Sequence, residues 1–455
     1  MKILFIHQNF PGQFKHLAPA LVARGHEVAA LAWGKQGEEA DWQGVRVVRY
    51  ASAHGTSKEV HPWLADMETK VIRGEACLAA ARRLHAGVFQ PDVIVAHPGW
   101  GESLFLKTLW PHARLGIYCE FFYAADGADV GFDPEFAPQD ALADRCRLEL
   151  KNLNNLAHFE IADAGLSPTG WQAQTFPARF RQRMTVVHDG IDTARLRSNA
   201  QASTFPPRFR DRIEVVHDGI DTARLRPHAG AAIQLGTQGG RRLRLTRDDE
   251  VITFVNRNLE PYRGFHVFMR ALPQILRARP RARVLIVGGT GVSYGSRPKP
   301  QVHGADAWRD VFVREVRPRI PDADWARVHF AGHVPYEHFV PMLQVSTVHV
   351  YLTYPFVLSW SLLEAMSIGC AIVGSDTAPV REVIEDGVTG RLVDFFDPAQ
   401  LAHAVCTLLD APEERARLGA AARERAVAGY DLHTVCLPRQ LAWVEALSQC
   451  AGVAA

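Results

Sequence analysis

Short apolar runs, rich in Val, Ile and Leu, alternate along this chain with longer segments in which apolar residues recur at helical spacing. The alternation predicts parallel sheets with helices on their faces, an α/β architecture. In the first half the runs are Lys2–His7, Glu27–Ala32, Val45–Tyr50, Asp92–Ala96, Arg114–Cys119 and Asp163–Leu166. The pattern starts again with Val251–Asn256, Ala282–Gly288, Val328–Gly332, Val348–Thr353 and Ala371–Gly374. Two series of strands predict two doubly wound, Rossmann-like domains. Ligands of such sheets sit outside the carboxyl ends of the strands, so two facing domains would hold a ligand in the cleft between them.

The expected boundaries are 1–190 for the first domain, 191–248 for a linker, 249–430 for the second domain and 431–455 for a C-terminal helix that packs back toward the first. A near-duplication marks the linker. Residues 175–197, TFPARFRQRMTVVHDGIDTARLR, recur as 204–226, TFPPRFRDRIEVVHDGIDTARLR, with 19 of 23 positions identical. A solenoid needs three or more repeats, so a local duplication is the simpler reading. Each VVHDG core reads as a last edge strand of the first domain, and one sheet position holds only one of them.

Composition narrows the field. The chain of 455 residues is 47% hydrophobic and 22% charged, a globular mixture with room for two or three domains. A net charge of +2 argues against a nucleic-acid partner, whose binding face needs a basic excess. The 7 cysteines are scattered and never form CxxC, which reads as reduced thiols and a cytoplasmic setting. Met1-Lys2-Ile3-Leu4 already reads as the first strand, without a leader, and no apolar run is long enough to span a bilayer. Membrane contact is expected to be peripheral at most.

The richest chemistry lies between Val348 and Asp394. The strand there ends at Tyr354-Pro355, since proline cannot continue a ladder. Ser359 or Ser361 then caps a helical run from Trp360 to Ile368, which Gly369 closes. Free N–H groups at that helix start favour phosphate, and Glu364, one to two turns inside, would face a ligand above it. Arg257 and Arg263, six residues apart at a strand end and a helix start, suit a diphosphate through their fixed forks. In the first domain Gly12 lies in the loop after the first strand, where a glycine permits close backbone approach. His97 and Glu120 follow later strands at their carboxyl ends. Gly288-Gly289-Thr290-Gly291 is neither a Walker loop nor a dinucleotide fingerprint. Asp322 and Asp324 read as solvated, and no metal site is expected.

Taken in order, Arg24-Gly25-His26-Glu27-Val28, Val-His-Asp-Gly-Ile-Asp, Arg257…Arg263-Gly264, Leu363-Glu364-Ala365-Met366 and Asp386-Gly387-Val388-Thr389-Gly390 resemble the family 4 retaining glycosyltransferases of the GT-B fold, glycosyl transferases group 1. The resemblance implies metal-independent transfer of a hexosyl-like group from a nucleotide-sugar donor to a saccharide or lipid-linked acceptor, in polysaccharide or glycoconjugate synthesis, with no cofactor. By position it implies that Arg257 and Arg263 neutralise the donor diphosphate and that Glu364 holds the ribose hydroxyls. Amides around Ser359, Trp360 and Ser361 would meet the distal phosphate. Gly12 would approach the phosphates from the other domain, His97 would lie beside the transferred sugar, and Val334 would lie near the base.

One departure stands out. Phe356 occupies the place of the first glutamate of the family's E-x7-E motif, eight residues before Glu364. Phenylalanine accepts no hydrogen bond, so another group such as Ser359, Ser361 or Asp376 must take over, or the sugar differs. The alternative reading is a catalytically weak nucleotide-sugar-binding scaffold subunit.

Overall fold

The computed structural model describes residues 1–137, 140–189, 226–236 and 242–449. These fall into two compact units, one from 1–189 with 432–449 and the other from 226–431.

The first unit is built on an eight-stranded sheet. Its strands are β1 (Lys2–Ile6), β2 (Glu27–Trp33), β3 (Glu39–Trp42), β4 (Val45–Tyr50), β5 (Val93–Ala96), β6 (Arg114–Tyr118), β7 (Ala164–Ser167) and β8 (Met184–Val186), in the order β3-β4-β2-β1-β5-β6-β7-β8. All pairs are parallel except β3 with β4. The strand order reverses at β1 and β5, which makes a crevice at their carboxyl ends. The central strands are apolar on both faces because helices cover both. One face packs against the helix Ala65–Ala86, the other against Leu17–Ala23 and Leu437–Leu447.

That last helix comes very close. A Cβ on Gly116 of β6 would meet the Trp443 ring at 2.5 Å and Leu447 Cδ1 at 2.6 Å, so only glycine fits there. The helix also fixes β8 through Arg439, which donates to the Val186 carbonyl at 3.0 Å, and its neighbour through Gln440, which donates to that of His188 at 2.9 Å. β8 belongs to the first copy of the duplicated segment and pairs with β7. The second copy, apart from its last residue Arg226, lies outside the described residues.

The second unit holds β11 (Val251–Asn258), β12 (Arg283–Gly289), β13 (Val328–Gly332), β14 (Val348–Tyr351), β15 (Ala371–Ser375) and β16 (Arg391–Val393), all parallel, in the order β13-β12-β11-β14-β15-β16. Its switch point lies between β11 and β14. Before it comes an antiparallel hairpin, β9 (Ala232–Gly236) with β10 (Arg242–Thr246), in a stretch expected as linker. Its inward side chains Ile233 and Leu245 are buried in the unit's core, which is what anchors the hairpin.

Candidate functional site

In the second unit the side chains singled out in the sequence lie on segments around the switch point, in unlike environments. Arg257, near the end of β11, is exposed. Arg263, in the turn Pro261–Arg263, is 5% exposed and already committed. Its Nη1 donates to Thr353 Oγ1 at 2.8 Å and to the Val357 carbonyl at 2.9 Å. The guanidinium therefore ties the turn after β11 to the loop after β14.

That loop leads into the helix Trp360–Ile368. Ser359, in extended backbone, caps it: its Oγ accepts from the Ser361 amide at 3.3 Å. The Ser359 amide donates to the Tyr351 hydroxyl at 2.8 Å, which fixes the approach to the cap. Ser361 is buried, and Ser359 and Trp360 are half-buried. The helix is apolar nearly all round, the mark of a buried segment. Inside it Glu364 is 1% exposed, and its Oε2 has no hydrogen-bond partner among the described residues. Burial pushes this carboxyl up to about 8, opposed by the Tyr336 hydroxyl. A buried carboxylate oxygen without a donor is costly unless a ligand supplies one.

Val334 lies in the hydrophobic core, so its side chain is spent on packing and only its backbone is free to meet a base. Asp376, on the surface, pairs with Arg381. Phe356 is 6% exposed and belongs to an aromatic group, 4.8 Å from Tyr294 and 5.9 Å from Tyr262 between ring centroids.

In the first unit the loops after β1 and β5 bring His7 and His97 together at 5.4 Å between ring centroids. His97 stacks on Trp100 at 4.5 Å and on Tyr118 at 5.4 Å. Its Nδ1 accepts from the Gly99 amide at 3.2 Å, which leaves the proton of the neutral ring on Nε2. That Nε2 lies 3.3 Å from Glu120 Oε2. His7 accepts from the Asn9 amide at 3.0 Å, and its Nε2 faces Gln13 Oε1 at 2.6 Å. Burial, with His97 nearby, pushes His7 down to about 3, so it is neutral. Gly12 has φ +47°, and a Cβ there would meet the His7 ring at 2.3 Å. The glycine is thus required by its own neighbour before any ligand is considered.

Sequence reasoning gave no role to Glu102, which is wholly buried, lies 3.6 Å from Arg73 Nη1 and has its carboxyl pushed up by that burial. It also passed over Glu260 and Tyr294. The Glu260 carboxylate accepts from the amides of Ser293 at 3.1 Å and Tyr294 at 3.4 Å. The only signal was Glu260 standing between two arginines already singled out.

Two family descriptions match the chain: the glycosyl transferase family 4 group over residues 24–196 and glycosyl transferases group 1 over 241–425. The chain belongs to the family 4, group 1 glycosyltransferases. Among relatives of this chain, D-inositol 3-phosphate glycosyltransferase of Corynebacterium efficiens is 29% identical over 207 residues, 43% of this chain and 45% of that protein. The chain thus matches less than half the length of that relative. Solved structures share the GT-B fold with this chain. Sucrose-phosphate synthase from Thermosynechococcus elongatus has a TM-score of 0.67 at 16% identity, covering 99% of this chain and 100% of that one. Anabaena HepE, solved with UDP-glucose, has a TM-score of 0.57 at 16% identity over 99% and 100%. Among the described residues no helix is long and apolar enough to cross a membrane.

Proposed function

We propose that the protein transfers a hexosyl group from a nucleotide-sugar donor to an acceptor hydroxyl with retention of anomeric configuration, without a metal or cofactor. The observation that carries this reading is Glu364, a buried carboxyl group with an oxygen that has no hydrogen-bond partner among the described residues, inside the helix that starts at the switch point. Donor ribose hydroxyls are the partners it lacks. Arg257 and the start of the Trp360–Ile368 helix would receive the phosphates as the glycosidic bond breaks and charge grows on the leaving diphosphate, the Ser359 and Ser361 amides exchanging the Tyr351 and Ser359 hydroxyls for phosphate oxygens. Arg263, its Nη1 spent on Thr353 and Val357, would serve first by holding that helix start in place.

On the first unit Gly12 is read as a backbone approach to the phosphates and His97 as a neighbour of the transferred sugar. No enzymic nucleophile is assigned. The acceptor would attack from the face the diphosphate leaves, its proton passing to the leaving phosphate. The UDP-glucose of HepE makes UDP-glucose the first donor to try. A saccharide or lipid-linked acceptor, in polysaccharide or glycoconjugate synthesis in the cytoplasm or at the inner membrane face, completes the proposal.

The test is nucleotide release from a panel of UDP-, GDP-, ADP- and dTDP-sugars, for the wild type and Glu364→Ala. Release from one donor, lost in the variant, supports a transferase. Tight donor binding without turnover, even with acceptors present, would favour the scaffold reading that Phe356 motivates. A sugar trapped covalently on the protein would overturn the direct attack.

A further inference from the structure

Tyr294 is a large aromatic left 43% exposed beside the switch point. It is not a stray surface ring. Its loop is held by the buried Glu260 carboxylate, which accepts from three consecutive amides, Ser293, Tyr294 and Gly295. Its ring is backed edge-on by buried Phe356 at 4.8 Å and lies 5.0 Å from the Arg263 guanidinium. Tyr262 adds a third ring, 6.3 Å from Tyr294 and 5.9 Å from Phe356. An exposed aromatic face held this firmly has lost its conformational freedom before any ligand arrives, so stacking on it costs little further entropy.

We propose that Tyr294, supported by Phe356, is a specificity-determining residue for the donor sugar. This rests on the transferase reading above and deepens it. Phe356 stands where the family resemblance has a glutamate, so the two rings of Phe356 and Tyr294 form an apolar wall in place of a carboxylate. Such a wall gives no partner to a hydroxyl, which loses its water on contact, and it gains from a methyl or acetyl group. The donor class assigned is therefore a nucleotide sugar that carries a methyl or acetyl group on the face it turns to Tyr294: a deoxy or N-acetylated hexose.

The experiment is calorimetric titration of the full chain with UDP, GDP and dTDP and with matched sugar pairs: UDP-glucose and UDP-N-acetylglucosamine, GDP-mannose and its 6-deoxy counterpart, dTDP-glucose and its 6-deoxy counterpart. Within the pair of the preferred base, the methyl- or acetyl-bearing member should bind about tenfold tighter, the span of a good aromatic contact. Tyr294→Ala should erase that preference and leave the bare nucleotide diphosphate unchanged, while Tyr294→Phe keeps both. Equal binding of the pair by wild type, or an unaltered preference in Tyr294→Ala, overturns this inference alone. Failure of every nucleotide to bind wild type overturns the transferase reading beneath it.

Discussion

Arg263 and Thr353 lie 90 residues apart in the chain, and the guanidinium donates to the threonine hydroxyl at 2.8 Å. Through that bond and its partner to Val357, the turn after β11 and the loop after β14 behave as one piece. Replacing Arg263 with methionine leaves a buried hydroxyl and a carbonyl without their donor, a loss of about 1–3 kcal/mol. Urea unfolding of Arg263→Met should show it. Arg263→Lys should recover part of the stability but not the fork, and its donor turnover should stay well below wild type.

Glu364 makes stability depend on pH in an unusual direction. Its folded carboxyl titrates near 8 and its unfolded one near 4.5, so the folded state holds the extra proton between them. Stability from this group is fully present below about pH 4.5 and is lost as pH rises toward 8. Glu364→Gln should therefore be more stable relative to wild type at pH 8 than at pH 5. A difference that does not grow with pH would mean the carboxyl is not held protonated. Saturating donor, by supplying hydroxyls to the carboxylate, should shrink the effect.

His158 acts in the opposite sense. It is buried, with Nδ1 2.8 Å from the Asn154 carbonyl and Nε2 2.7 Å from Ser103 Oγ. A carbonyl only accepts, so Nδ1 bears the proton and Nε2 accepts from Ser103. Burial lowers the ring to about 4 against an ordinary value of 6.5. Its contribution is complete above pH 6.5 and disappears as pH falls toward 4. His158→Gln should unfold at a urea midpoint that varies less with pH across that window than wild type does.

Gly12→Ala tests which neighbour demands the glycine. The added methyl would run into the His7 ring while the backbone stays at φ +47°. The combined strain and crowding should cost about 1–3 kcal/mol. Gly12→Ala combined with His7→Ala should recover the crowding part in a melting experiment, and no recovery would leave backbone strain as the whole cost.

What the sequence disclosed follows the range of the interactions involved. β14, the Ser359 cap and the Gly369 stop were legible because a strand run, a capping hydroxyl and a closing glycine act over a few residues. The sites of Arg257, Arg263 and Glu364 were legible as positions. Their environments were not: Arg263 meets Thr353 and Val357, and Tyr294 meets Phe356, only once β11, β12 and β14 are side by side. Val334 is spent on core packing, which a lone valine after a strand does not announce. The hairpin β9–β10 sits in the expected linker because Ile233 and Leu245 find a core that belongs to later strands. For the duplicated segment two copies were almost identical, so only the pairing of Met184–Val186 with β7 separates them.

The helix Leu437–Leu447 lies on β5 and β6, far behind its partners in order of synthesis. A ribosome delivers the chain from its first residue at about 5–20 residues per second. Gly116 and the apolar side chains of β5 and β6 that this helix covers therefore wait while the whole of 226–431 is made. The second unit, contiguous in sequence, receives all its segments first. The part of the molecule that is translated earliest is thus the last to be completed.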